Sequence, residues 1–222
     1  MTCSIVTGAS RGLGLGIARR LVAAGYDVIA AARTAPDVEG ARNVAADITS
    51  PDDVRRLAEL AGDVGLLVNN AAAIPVMDTF AELTLERFRR GFEVDVFGTL
   101  ALTQAVRMTE GTIVNVIAAR GGVLTGPPHL SVSPSQAALT TLTRTLAEIL
   151  APGIVVHGLM PKLTPAGGTG IAAAPALGVT FGAEFLTGEQ VGDAVLALAA
   201  ESEPGLWSVS YDSMVTSVPI GV

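Results

Sequence analysis

Aromatic side chains are scarce in this chain: Phe, Trp and Tyr make up 4% of its 222 residues, against 50% hydrophobic residues in all. A core with so few rings must be built from Ala, Val, Leu and Ile. That suits Val- and Ile-rich parallel strands covered by Ala- and Leu-rich helices. Cysteine is scarcer still. Cys3 stands alone, so no intramolecular disulfide can form, and a reducing cytoplasmic setting is the expectation. Cys3 itself reads as a small apolar residue of a first strand rather than a nucleophile. Basic residues are outnumbered, 14 Lys and Arg against 21 Asp and Glu, for a net charge of −7. No basic run stands out, which argues against nucleic acid as a partner. The opening MTCSIVTGAS is interrupted by Gly and Arg too early to read as a signal peptide. No apolar stretch reaches membrane-spanning length without Gly, Pro or charge, so a soluble chain with no membrane partner is expected.

What is present is a regular alternation of short apolar runs and helical patterns. The length suits one α/β domain spanning residues 1–222. Residues 4–7 predict a first strand. A helix over about 13–24 comes next, with Leu13, Ile17, Leu21 and Val22 on one face and Gly25 closing it. Strands are expected at 27–32, 44–46, 66–69, 112–117, 154–159 and 206–211. Ser50-Pro51-Asp52-Asp53 is a helix start, with a cap, a proline at the first position and acids in the first turn; that helix ends at Gly62. A long helical stretch covers about 83–107. A further helix covers 135–150, with Leu139, Leu142, Leu146, Ile149 and Leu150 towards the core, and a last one 190–200. Residues 161–186, rich in Gly, Ala, Pro and Thr, read as a loop with short helical pieces. Strand–helix alternation implies a single Rossmann-type doubly wound parallel sheet of about seven strands, with helices on both faces.

Between the first strand and first helix lies Thr7-Gly8-Ala9-Ser10-Arg11-Gly12-Leu13-Gly14. Gly8 allows a tight turn, Gly12 lets backbone approach a pyrophosphate, and Gly14 permits close packing of helix on sheet. Phosphates would lie on free N–H groups at the helix N-terminus, where the macrodipole favours negative charge.

The spacing T-G-x-x-x-G-x-G resembles that of the short-chain dehydrogenase/reductase family, and further blocks agree in order. Asp47-Ile48-Thr49 is similar to its Asp-Val-Thr, whose Asp contacts adenine. Leu67-Val68-Asn69-Asn70-Ala71-Ala72 is similar to its L-V-N-N-A-G, with Ala72 for the last Gly. Gly111 to Asn115 resembles its fifth strand, and Ser135-Gln136-Ala137-Ala138-Leu139 resembles S-K-A-A-L. Asp212 stands where the family has Asp-Gly-Gly. The resemblance implies cofactor contacts along the turn from Gly8 through Ser10, Arg11, Gly12 and Leu13 to Gly14. It implies others at Arg33, at Asp47 and Ile48, at Asn69, Asn70 and Ala71, and at Pro161. An acid ending the second strand would bind the ribose of NAD, but here the strand ends Ala31-Ala32-Arg33. Arg33 and Arg11 could grip a 2′-phosphate from both sides, so NADP(H) is preferred over NAD(H). The alternative leaves both as solvated surface residues.

The family's catalytic pattern fails at four positions. Hydride addition to a carbonyl creates an alkoxide that must take a proton, which family members supply from Tyr, assisted by Lys, Ser and Asn. In the register set by Ser135, Val132 stands for the Tyr and Gln136 for the Lys. Ala118, or Ala119 with one slip, stands for the Ser, and Asp95 for the Asn. The two tyrosines, Tyr26 and Tyr211, fall elsewhere by the family's layout. The one lysine, Lys162, comes after Pro161 beside the expected nicotinamide amide. Asp95, Arg120, His129, Ser131, Ser133 and Gln136 remain as polar residues near the pocket. His129 could serve as an acid/base with Asp95 or a Ser, or simply line a pocket mouth. Asp95 could be a buried acid with a raised pKa, or a satisfied structural group.

Three readings stay open, all keeping the dinucleotide site. One is non-redox chemistry, such as cyclisation, isomerisation or elimination, on an unidentified small molecule at Asp95, His129, Ser131, Ser133 and Gln136. Another is a non-catalytic cofactor-binding module. The third is NADPH-dependent carbonyl reduction with an unusual proton donor. The resemblance also implies a homodimer or homotetramer through the long helices after the fourth and fifth strands. The stripe Leu139, Leu142, Leu146 suits that, and suits core packing as well.

Overall fold

The structure is a computed structural model. It describes residues 3–73, 79–118, 130–161 and 186–209, together with the backbone of 215–218. Arg120, His129, Lys162, Tyr211, Asp212 and nearly all of the expected loop at 161–186 lie outside the described residues.

Seven strands run parallel: β1 (Cys3–Thr7), β2 (Asp27–Ala32), β3 (Arg42–Ala45), β4 (Val64–Asn69), β5 (Gly111–Val116), β6 (Ile154–Pro161) and β7 (Gly205–Val209). An eighth, β8 (Val215–Val218), pairs antiparallel with β7, which the sequence pattern did not announce. The order β3-β2-β1-β4-β5-β6-β7-β8 reverses direction between β1 and β4. Sheets of this kind open a ligand crevice at that point, beyond the carboxyl ends of the strands.

The strands are buried on both faces, and alternation sorts their side chains. Ile5, Ile29, Ala31 and Leu67 face one layer, with α2 (Pro51–Ala61), α4 (Thr99–Ala105) and α5 (Ser133–Leu150). Val6, Val28, Ala30 and Val68 face the other, with α1 (Gly12–Ala23) and α6 (Gly188–Leu198). The helix starts reflect local chemistry. Ser50 Oγ accepts from the Asp53 amide at 3.4 Å, Pro51 opens α2, and Gly62 stops it at φ +65°. At the end of α1, Gly25 takes φ +87°, a conformation costly for any residue with a Cβ. Among the described residues no helix is long and apolar enough to cross a membrane.

Three expectations are corrected. The third strand starts at Arg42 and ends at Ala45, because the Asp47 amide leaves the sheet to meet the Asp53 carboxylate at 2.9 Å. On α5, Ile149 is 67% exposed while Leu139 is 3%. Ten residues of helix turn it roughly 80° off the buried direction, so the core stripe is Leu139, Thr143 and Leu146. The long helix expected over 83–107 is α3 (Leu85–Phe92), a π-helical turn (Glu93–Gly98), then α4. Such a turn inserts an extra residue and re-aims the side chains beyond it.

His157 on β6 was not singled out from the pattern. It is fully buried, and the Trp207 indole N–H on β7 donates to its Nδ1 at 3.0 Å. Burial pushes the imidazole down to about 4, a shift that the Leu198 backbone only partly offsets. The unfolded chain therefore takes up a proton near pH 6.5 that the folded chain refuses until about pH 4. The stability held above pH 6.5 should fall across that window, by about 3 kcal/mol in total. Urea unfolding followed by Trp207 fluorescence measures it. His157→Gln should be less stable at pH 7 and show a flatter slope between pH 6.5 and 4.

Candidate functional site

The crevice between β1 and β4 is tied shut at its base by two side chains. Thr7 Oγ accepts from the amides of Asn70 and Ala71, each at 3.0 Å, and donates to the Val68 carbonyl at 3.4 Å. Asn70 Nδ2 reaches back to the carbonyls of Thr7 at 2.9 Å and Gly8 at 3.4 Å. Asn70 and Ala71 thus hold the glycine turn from beneath. Gly8 turns at φ +68° and Gly12 at φ +59°. A Cβ on Gly14 would lie 2.3 Å from the Gly8 carbonyl oxygen and 2.4 Å from Asn70 Nδ2. The tight approach at Gly14 is therefore to the turn and to Asn70, rather than to the sheet as expected.

The mouth of this turn suits an anion. Arg11 caps α1 with no side-chain hydrogen bond, and no acid occupies the first turn, so nothing of the helix's own competes for its leading amides. Ser10, Arg11 and Gly12 are exposed, and Leu13 is half-buried. Arg33, just past the end of β2, is exposed too. Among the described residues neither Arg11 nor Arg33 has an ion-pair partner, whereas Arg20, Arg42, Arg56 and Arg90 each face a carboxylate.

At the adenine end that the resemblance implies, Asp47 Oδ1 accepts from the amide of Thr49 at 2.9 Å and its hydroxyl at 2.7 Å, and Oδ2 faces Arg90 at 3.4 Å. Burial opposes the charge on Asp47. The Thr49 donors and Arg90 outweigh it and hold the carboxyl below its usual range. Ile48 is buried, and Gly98 packs so closely on it that a Cβ there would lie 2.9 Å from its Cγ1.

The far end of the crevice is wired to itself. Asn69 Nδ2 donates to Asn115 Oδ1 at 2.9 Å, and Asn115 Nδ2 to Thr143 Oγ at 2.9 Å, joining β4, β5 and α5. Next to this chain the π turn aims Asp95 inward, with 1% exposure. Asp95 Oδ1 accepts from the Ala73 amide at 2.9 Å. Its Oδ2 accepts from Ser135 Oγ at 2.7 Å and Gln136 Nε2 at 2.8 Å. Gln136 Oε1 takes the Ala118 amide at 2.7 Å. Three of the four residues standing at the catalytic positions that the resemblance implies thus meet in one network, and the fourth, Val132, is buried at its edge, its carbonyl 2.9 Å from Ser135 Oγ and competing with Asp95 for that hydroxyl's one proton. Burial pushes the Asp95 carboxyl up, against the pull of these three donors. Ser133 opens α5 and is buried, Ser131 is half-buried before it, and Pro161 ends β6 half-buried. Ser135 and the Ala73 amide are partners that sequence reasoning missed. The available signal was an acid between Val94 and Val96 in an apolar stretch, which had to find buried donors.

Removing Asp95 strands those donors. Asp95→Ala should lower stability by about 2–4 kcal/mol, read from urea unfolding at pH 7. Because its folded pKa is raised, Asp95 favours folding most at acid pH, and its contribution declines as pH rises, opposite in sign to His157.

Comparison with known proteins places these features. A family model described as short chain dehydrogenase matches residues 2–170. An L-xylulose reductase of Bos taurus is 32% identical over 182 residues, which cover 74% of this chain and 73% of that protein. A carbonyl reductase [NADPH] 2 of Sus scrofa is 33% identical, covering 67% of this chain and 66% of that one. The match spans only 55% of an L-fucose dehydrogenase of Oryctolagus cuniculus, at 32% identity over 64% of this chain. A crystal structure of a short-chain dehydrogenase from Streptomyces avermitilis superposes with a TM-score of 0.79 at 29% identity, covering 96% of this chain and 89% of that one. The chain belongs to the short-chain dehydrogenase family, whose members bind NAD(P)(H).

Proposed function

We propose that this chain binds NADP(H) at its glycine turn and does not transfer hydride there, its proton-transfer residues having become a structural clamp. The observation that carries this is the closed network of Asp95, Ser135, Gln136 and the Ala118 amide. A bound nicotinamide supplies or accepts hydride only if a neighbouring group handles the accompanying proton. Val132 has no ionisable hydrogen. Gln136 spends its carboxamide oxygen on Ala118 and a carboxamide N–H on Asp95.

The same saturation separates the two non-redox readings. A base for cyclisation, isomerisation or elimination needs a lone pair facing substrate. Both Asp95 oxygens instead face donors of the protein, and the residue is almost wholly buried. That favours a nucleotide-binding module over catalysis centred on Asp95. The reductase and dehydrogenase activities in the relatives' names belong to those proteins.

Cofactor preference tracks charge. Ala31 and Ala32 end β2 where an acid would repel a 2′-phosphate, and the exposed Arg11 and Arg33, without ion-pair partners among the described residues, supply positive charge that favours one. The carbonyl reductase from Sus scrofa, which carries NADPH in its name, agrees with that direction. Titration calorimetry should find NADPH binding at least about tenfold tighter than NADH, and the double variant Arg11→Ala/Arg33→Ala should remove most of the difference. No NADPH should be consumed across a panel of aldehydes and ketones. Steady oxidation of NADPH by any of them would overturn the clamp reading and leave the binding reading standing.

A further inference from the structure

We propose that Gly188, the first residue of α6, is a positioning residue for the dinucleotide turn, holding the Gly12 end of α1 by direct backbone contact. This rests on the reading of that turn as the nucleotide site. A Cβ built on Gly188 would lie 2.8 Å from Gly16 Cα and 2.9 Å from the Gly12 carbonyl oxygen. From the other side, a Cβ on Gly16 would lie 2.3 Å from the Gly188 carbonyl carbon. The two helices thus start backbone against backbone, with no side chain between them.

Neither helix can retreat. Thr187 and Gln190 cap α6 reciprocally, with Thr187 Oγ accepting from the Gln190 amide at 3.2 Å and Gln190 Oε1 from the Thr187 amide at 2.8 Å. Leu186, Val191 and Val195 are fully buried beside it, and Asp193 pairs with Arg20 at 2.5 Å further along the interface. On α1, Ile17, Ala18 and Leu21 are fully buried against the sheet. The element with most freedom to yield is the turn itself, where Gly12 is exposed and sits at φ +59°. A side chain at 188 would therefore press on the whole first turn of α1, from the Gly12 carbonyl to Gly16, and shift the leading amides that face the diphosphate.

The test compares Gly188→Ala with Gly192→Ala. A Cβ on Gly192 meets the same α1–α6 interface one turn further from the nucleotide, 2.6 Å from Arg20 Cβ. Two probes are titrated: NADPH, and adenosine 2′-monophosphate, which keeps the adenine and the 2′-phosphate but has neither phosphate of the diphosphate. Gly188→Ala should weaken NADPH at least about tenfold and leave the 2′-monophosphate within about twofold. Gly192→Ala should lower Tm yet change neither affinity. Unchanged NADPH affinity in Gly188→Ala, or equal losses in the two variants, overturns the proposal. Failure of the wild-type chain to bind NADPH overturns the nucleotide reading itself. Should Gly188→Ala not fold, hydrogen exchange on the wild-type chain decides. NADPH, and not the 2′-monophosphate, should slow the amides of residues 188–191, and no such slowing overturns the proposal.

Discussion

Thr7 sits at the one place in the sheet where the chain reverses its winding, and its hydroxyl accepts two backbone amides from the loop that follows the neighbouring strand β4. That contact sets the spacing of the crevice. Asn70 answers it from the opposite side by donating to the carbonyls of Thr7 and Gly8. With the end of β1 and the loop after β4 stitched together, Gly8 must turn sharply, Gly14 must lack a side chain, and α1 must begin where its amides face outward. The helix is then pressed from behind by α6 at Gly16 and Gly188. Every feature at the phosphate end depends on this arrangement of backbone around one hydroxyl and one carboxamide.

The other end of the crevice obeys the cost of burying charge. A carboxylate with 1% exposure needs donors on both oxygens, or it will not stay ionised. Asp95 finds them in Ala73, Ser135 and Gln136, drawn from the loop after β4 and from the start of α5. The π turn is what brings it there. An uninterrupted α-helix over the same residues would point Asp95 elsewhere. The residues at positions 95, 118 and 136 are therefore mutually consistent. An acid in the π turn calls for a neutral donor on α5, and a carboxamide there can also receive the amide of Ala118. A lysine at 136 could pair with Asp95 but could not accept that amide.

The energetics of the two ends differ in kind. Around the glycine turn, groups stay unpaired among the described residues: first-turn amides without a side-chain cap, and two arginines without carboxylates. Around Asp95, stability is gained by pairing what the resemblance would have left to a substrate. One fold thus carries an uncapped helix start after β1 and a closed polar cluster reached through the loop after β4, two strands that pair side by side.

Much of this was legible in the sequence because it is local. The alternation of strands and helices, the Ser50–Pro51 helix start, the Gly25 stop and the glycine turn all depend on residues a few positions apart. Backbone propensity and capping act over that range. The residues at the four catalytic positions that the resemblance implies, Asp95, Ala118, Val132 and Gln136, were named by counting along the chain from neighbouring motifs. What tertiary structure decided is non-local. The union of Asp95 with Ser135 and Gln136 some forty residues on, the seat of His157 against Trp207 and the contact of Gly16 with Gly188 all join distant segments. A residue's neighbours in sequence state what it can do. Which of those capacities is used depends on the partner that the packed sheet carries to it, and the requirement that buried polar atoms be paired selects that partner.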